Sequence, residues 1–74
     1  MKDLPIGSNL RYLRNNMGLS QDAVATKLQL MGLNISRETV SQMELGSCNV
    51  RVSVLRALKE LYNVDSYDEF FRDI

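Results

Sequence analysis

The sequence contains no histidine and only one cysteine, which limits the catalytic and metal-binding chemistry that the protein can perform. Histidine is a common general acid or base and a frequent metal ligand, and a nucleophilic cysteine needs a basic partner. Carboxylates paired in a plausible cleft and a glycine-rich phosphate loop are also missing. We therefore expect neither an enzyme nor a metalloprotein, and the sequence indicates no cofactor and no small-molecule ligand.

No apolar run approaches the roughly 20 residues that a membrane-spanning helix requires. The single cysteine, Cys48, cannot form an internal disulfide, which is typical of proteins in a reducing compartment. The first residues, Met-Lys-Asp-Leu-Pro-Ile, lack the apolar core and the cleavage site of a signal peptide. We therefore expect a cytoplasmic protein with no membrane partner.

The chain is short, and its charge is balanced overall but unevenly distributed. Its 74 residues suffice for one small domain, which we expect to span residues 1–74. The formal net charge is zero, whereas nucleic-acid-binding proteins usually carry a basic surplus. Residues 1–59 hold eight basic and four acidic side chains, and residues 60–74 hold one basic and five acidic. This asymmetry indicates either two faces with separate roles or a mixed, solvated surface.

Apolar residues recur at helical spacing along the chain, and no segment alternates as a strand would. From Ile6 to Met17 they are spaced four, three and four positions apart. Ser20 and Ser36 are suited to cap helix starts, and a Ser-x-x-Glu capping box occupies residues 66–69. The sequence therefore predicts an all-α fold, a compact bundle of five helices at about residues 6–17, 21–31, 36–45, 51–62 and 66–72.

The segment ISRETVSQMELG, from Ile35 to Gly46, has two distinct faces if it is helical. Val40 and Met43 lie three positions apart and would pack on the core. The other face carries four polar side chains: Arg37, Glu38, Ser41 and Gln42. A short helix with planar hydrogen-bonding groups in its first turns is suited to enter a groove, although a solvated polar face is common to surface helices.

Three strings in order resemble the phage-repressor and Cro-like (Xre-type) helix-turn-helix family: GLSQDAVATKL, ISRETVSQMELG and LRALKELYNV. The resemblance covers about residues 10–64 and implies a lambda-repressor-like bundle whose second and third helices form the helix-turn-helix. It implies a sequence-specific DNA-binding transcriptional regulator, a repressor, that inserts the third helix into the major groove of a near-palindromic operator as a homodimer. The connection between these helices is about five residues longer than usual, so we expect the second helix to run one turn further before Gly32 ends it.

The resemblance assigns base reading to four residues of the third helix: Arg37, Glu38, Ser41 and Gln42. Arginine can bind guanine O6 and N7 together, glutamine can bind adenine N6 and N7, and glutamate can accept from cytosine N4. Each good bidentate contact contributes about 1–3 kcal/mol of discrimination between bases. Because a carboxylate facing phosphates lowers affinity, Glu38 should either aid selectivity or pair with Arg37.

The resemblance assigns phosphate contacts to four residues near helix starts: Ser20, Gln21, Asn49 and Arg51. Backbone amides at a helix N-terminus favour a bound anion. Arg51 would be unfavourable for the dipole of the fourth helix unless an external anion lies beside it. The alternative is that these side chains are simply exposed. Three other cations either join the basic face or are simply solvated: Arg11, Lys27 and Arg56.

Arg14 and Glu44 resemble a pair that the family places together, tying the first helix to the end of the third. A guanidinium can bind a carboxylate through two parallel hydrogen bonds, so the pair would orient the third helix. The alternative is two independent surface charges.

Apolar side chains crowd the end of the chain, and four of them are candidates for a homodimer contact: Tyr67, Phe70, Phe71 and Ile74. A dimer would read two half-sites together and so gain affinity. The alternative is that these residues cover the core of their own chain.

A second function class is compatible with the same fold. A helix-turn-helix can serve as a protein-interaction module, such as an antirepressor or antitoxin-like partner, with little DNA binding. The zero net charge and the acidic Glu38 favour this alternative.

Overall fold

The computed structural model describes residues 6–71, and within that range the protein is all-α, with no strand. Its elements are α1 (Ile6–Asn16), α2 (Gln21–Leu30), α3 (Arg37–Leu45), α4 (Val52–Leu61) and a final 3-10 turn (Tyr67–Phe70). None of the helices in the described range is long and apolar enough to cross a lipid bilayer. The predicted all-α class is confirmed, but residues 6–71 form four α-helices and one 3-10 turn instead of the predicted five helices.

The helix predicted at about residues 66–72 is a single 3-10 turn of four residues. Ser66 caps it, because its Oγ accepts from the amide of Asp68 at 3.1 Å. Asn9 Nδ2 of α1 donates to the carbonyl of Phe70 at 2.8 Å, which ties the end of this turn to α1. The Phe70 ring is fully buried, and one anchored aromatic therefore replaces the predicted amphipathic helix. Residues 72–74 lie outside the described residues.

Each of the four α-helices is followed within two positions by a residue with a left-handed backbone: Gly18, Gly32, Gly46 and Asn63. After α1, the amide of Leu19 donates to the carbonyl of Arg14, and the amide of Gly18 donates to the carbonyl of Asn15. The same two bonds close α2, α3 and α4. Glycine and asparagine adopt this backbone more easily than other residues, so they determine where each helix stops.

These helix ends change two local expectations. Met17 is the last apolar residue of the spacing in the predicted first helix, and Met31 is the last residue of the predicted second helix. They are 43% and 44% exposed, because each lies just beyond the end of its helix. Leu19 and Leu33, which follow the left-handed glycines, are partly buried against the core instead. A hydrophobic residue after such a glycine commonly packs back on the helix it has left.

The core lies between the four helices and the final turn. Its buried apolar residues are Leu10, Leu13, Val24, Ala25, Leu28, Val40, Met43, Val54, Ala57, Leu58, Tyr62 and Phe70. Gly7 allows α1 to lie directly against the end of α3: a Cβ at this position would be 2.5 Å from the carbonyl oxygen of Glu44 and 2.8 Å from that of Met43. This backbone contact sets the position of α3 on the rest of the molecule.

Residues 31–36 connect α2 to α3, and contacts at both ends hold this long connection. Gln29 Nε2, near the end of α2, donates to the carbonyl of Ile35 at 2.9 Å. Leu33 and Ile35 are partly buried against the core. The connection is therefore packed on the molecule, and α3 begins at a fixed position relative to α2.

Candidate nucleic-acid interface

α3 begins at a side-chain cap and presents one apolar and one polar face. Ser36 Oγ accepts from the amide of Thr39 at 3.2 Å and shares a hydrogen bond with the Thr39 hydroxyl at 3.1 Å. Val40 and Met43 are only 1% and 3% exposed, so they attach the helix to the core as the sequence predicted. With nine residues the helix is about 13 Å long, and its other face is left for solvent or a ligand.

The structure brings the four predicted base readers together with one predicted phosphate contact. A shallow depression of about 240 Å³ is lined by Gln21, Arg37, Glu38, Ser41 and Gln42. We call this set of five residues the reading surface. Ser41 and Gln21 are half-buried and the others are exposed, so the surface is open to a large partner. It is built from the first turns of α2 and α3, the two helices of the predicted helix-turn-helix.

Arg14 and Glu44 form a two-point ion pair that fixes the far end of α3. Arg14 Nε donates to Glu44 Oε2 at 2.6 Å, and Nη2 donates to Oε1 at 3.0 Å. Nη1 donates to the carbonyl of Leu19 at 2.9 Å. The hydrogen bond to Glu44 raises the pKa of Arg14, against a smaller opposing effect of burial. The pair joins α1, the turn after it and α3, as expected of an orienting contact.

Gln21 links this ion pair to the reading surface. Its Nε2 donates to Glu44 Oε1 at 3.1 Å, so the amide is held in place rather than free in solvent. A primary amide carries two donor hydrogens, and this bond uses one of them. The remaining hydrogen is available to a phosphate oxygen, so the observed contact is compatible with the predicted phosphate role.

The other predicted phosphate contacts are divided between two places. Ser20 caps α2, where its Oγ accepts from the amide of Ala23 at 3.0 Å and its hydroxyl hydrogen can still be donated. Asn49 and Arg51 lie beyond the opposite end of α3 and do not line the depression of the reading surface. Arg51 is the N-cap residue of α4 and makes no capping hydrogen bond with its side chain.

Arg11, which the sequence left undecided, lies beside the reading surface. A second depression of about 250 Å³ adjoins the first and shares Gln21 and Ser41 with it. The exposed Arg11 of α1 lines this second depression near the Arg14–Glu44 pair. One further cation is therefore close to the surface that the sequence predicts for DNA.

Sequence reasoning missed the acidic partner of Arg37. Arg37 Nε lies 3.5 Å from Asp22 Oδ1, so the first turn of α3 contacts the first turn of α2. The sequence pointed to Glu38 as a possible partner, but neighbouring positions on a helix do not face each other. Asp22 lies in the first turn of α2, where the helix dipole favours an acid, and nothing in the sequence signals its approach to α3.

The aromatic residues predicted to form a dimer contact do not share one surface. Phe70 is fully buried and belongs to the core, so its assignment to a dimer contact is corrected. Tyr67 lies beside α4, with Lys59 Nζ 5.5 Å from its ring centroid. Phe71 is 41% exposed and lines a different, largely open groove. Ile74 lies outside the described residues.

The groove that Phe71 lines has a volume of about 700 Å³ and runs between the start of α1, the end of α3 and the start of α4. Leu45 and Val52 also line it and are 74% and 81% exposed. Cys48, half-buried, lies in the same groove. Within residues 6–71 no group of three or more histidine, cysteine or acidic residues is placed to hold a metal ion.

α2 and α3 are joined by a connection that packs on the core, and the polar face of α3 is exposed. This arrangement is a helix-turn-helix, which is a DNA-binding fold. The family model for the helix-turn-helix domain matches residues 5–69. The chain therefore belongs to the helix-turn-helix domain family. No curated protein and no solved structure matches it significantly.

Proposed function

We propose that this protein is a sequence-specific, Cro-like (Xre-type) transcriptional regulator that inserts α3 into the major groove of DNA. The observation that carries the proposal is the reading surface, where all four predicted base readers converge with Gln21 at the starts of α2 and α3. These side chains offer the donors and acceptors that distinguish base edges in the major groove.

The way in which α3 is held supports this role. A recognition helix must keep its position while its side chains exchange water for base edges. The Arg14–Glu44 pair holds one end of α3, and the Ser36 cap begins the other. The major groove is about 12 Å wide, and an α-helix, whose diameter with side chains is about 10–12 Å, fits into it. We propose that occupancy of the operator by the bound protein represses transcription.

We propose that the DNA-bound form is a homodimer on a near-palindromic operator. Leu45, Val52 and Phe71 expose apolar surface around one groove, which supports contact with a second copy at the C-terminal end of α3. Two recognition helices would then read half-sites about 34–36 Å apart. Ile74 stays part of the proposed contact, whereas the burial of Phe70 removes that residue from it.

Selection from a random duplex library at moderate salt tests the proposal. We expect a near-palindromic site whose half-site centres are separated by about one turn, roughly 10 base pairs. The affinity of the selected duplex should fall steeply as salt increases, because phosphate contacts release counterions. Failure to bind any duplex at low salt would overturn the proposal.

The protein-interaction module is the second candidate, and one observation favours it. Asp22 and Glu38 place two carboxylates at or beside the reading surface, where they repel phosphates, and the whole chain has no basic surplus. If this candidate is correct, the selection above returns no sequence and a protein partner protects the reading surface from chemical modification.

A further inference from the structure

We propose that Asp22 is a specificity-determining residue: it positions the guanidinium of Arg37 to read a guanine. The inference rests on the proposed function, because it assigns a role within DNA recognition. It goes beyond the base readers of α3, since Asp22 lies on α2 and does not line the depression of the reading surface.

The atoms in contact carry the first step. Asp22 Oδ1 lies 3.5 Å from Arg37 Nε, which is the inner nitrogen of the guanidinium. Arginine binds guanine O6 and N7 with two donors of its planar fork. When DNA is bound, a carboxylate paired with Nε leaves Nη1 and Nη2 for the base and restricts rotation of the guanidinium plane. Asp22 and a guanine can therefore bind Arg37 at the same time.

Exposure carries the second step. The side chains of Arg37 and Asp22 are 56% and 79% exposed, and their separation exceeds the 2.7–2.9 Å typical of a charge-assisted hydrogen bond. In water such a pair contributes little to folding. When DNA displaces the water around it, the same pair becomes stronger because the local dielectric constant falls. The contact therefore acts mainly in the bound state.

The negative charge of Asp22 has two opposite effects on DNA binding. Its carboxylate repels the phosphate backbone and so weakens binding to every duplex. Its contact with Arg37 strengthens the preference for one base. Removing the charge should therefore raise affinity for unrelated DNA while it lowers discrimination at a single position. A residue that served only the fold would not separate these two effects.

Asp22→Asn tests this inference on the selected operator, on a scrambled duplex and on operators that vary one base pair at a time. We expect tighter binding to the scrambled duplex and a roughly three- to ten-fold loss of preference at the base that Arg37→Ala identifies. Asp65→Asn is the matched control, because this exposed acid after α4 carries the same charge and should leave that preference unchanged. Asp22→Glu keeps a carboxylate and should restore part of the preference.

A double-mutant comparison completes the test. In the Arg37→Ala background, Asp22→Asn should change the overall affinity but not the base preference. The inference is overturned if Asp22→Asn keeps the full preference, if it relaxes preference equally without Arg37, or if Arg37→Ala changes no base preference. Those outcomes differ from failure of the proposed function, in which the unmodified protein binds no duplex at low salt.

Discussion

Arg14 and Glu44 lie 30 positions apart in the chain, yet each side chain uses two atoms to bind the other. Nε donates to Oε2 at 2.6 Å and Nη2 donates to Oε1 at 3.0 Å, with the two side chains only 11% and 5% exposed. Gln21 shares Oε1, so the contact joins α1, α2 and α3 at one point. We therefore expect the orientation of the reading surface to depend on this point.

Removing one partner should therefore destabilise the fold and disturb recognition. We expect Glu44→Ala to lower the free energy of unfolding by about 3 kcal/mol, because it leaves the mostly buried Arg14 cation without its counter-charge. Urea denaturation followed by circular dichroism measures this change. Glu60→Ala, which removes the same charge from an exposed site on α4, should change stability by less than about 0.5 kcal/mol. Equal stability of the two variants would contradict the orienting role.

Gly7→Ala should destabilise the protein although alanine favours helices. In an unconstrained helix this change would stabilise by about 1 kcal/mol. Here the added Cβ would meet the carbonyl oxygens of Glu44 and Met43 at 2.5 and 2.8 Å, and neither belongs to a flexible side chain. We expect a decrease in stability of about 1–3 kcal/mol by thermal or chemical denaturation. Asn15→Ala, an exposed change in the same helix, is the control and should be nearly neutral; a stabilised Gly7→Ala would show that α1 and α3 separate easily.

The features that were predictable from the sequence are those that depend on neighbours along the chain. The cap at Ser36, the end at Gly46 and the buried Val40 and Met43 follow from local hydrogen bonding and helical spacing. The Arg14–Glu44 contact joins distant positions, and it was anticipated only from the family resemblance. Helical spacing alone predicted the polar face of α3, but it did not predict the contacts that hold this helix in place.

The features that were missed depend on contacts between distant segments. Asn9 donates a hydrogen bond to the carbonyl of Phe70, 61 positions away in the chain. Phe70 is the last residue of the 3-10 turn that is found in place of a fifth helix. The Asp22–Arg37 pair depends on the angle between α2 and α3, which the long connection determines. Asn9 could have been noticed as a polar residue on the apolar stripe of α1, whereas Asp22 carried no such signal.

Alkaline pH should destabilise the protein through Tyr62. Burial raises the pKa of this phenol above its ordinary value of about 10, and the negative charge of Glu44 raises it further. Below pH about 10 the phenol is neutral in both states; above it, the unfolded chain loses a proton that the folded protein retains, so stability falls as pH rises.

We expect this group to lower the free energy of unfolding by up to about 1.4 kcal/mol per pH unit, measured by urea denaturation between pH about 9 and 11. Tyr62→Phe should remove that contribution. Tyr12→Phe is the matched control, because Tyr12 is 51% exposed and its removal should leave the slope unchanged. If the free energy of unfolding fell equally with pH in Tyr62→Phe and in the unmodified protein, the role of the buried phenol would be contradicted.

Base readers and phosphate-binding residues should be separable by how their effects on affinity depend on sequence and salt. We expect Gln42→Ala to relax preference at one base position per half-site and to reduce discrimination there by about 1–3 kcal/mol. Arg51→Ala should weaken binding to all duplexes alike and reduce the slope of log K against log salt by about 0.9 for each phosphate that the variant no longer neutralises. Lys59→Ala, which removes the same charge from α4 beside Tyr67, is the control and should change neither quantity. Uniform weakening by Gln42→Ala would instead indicate that this residue binds a phosphate and would limit base reading to the remaining side chains of α3.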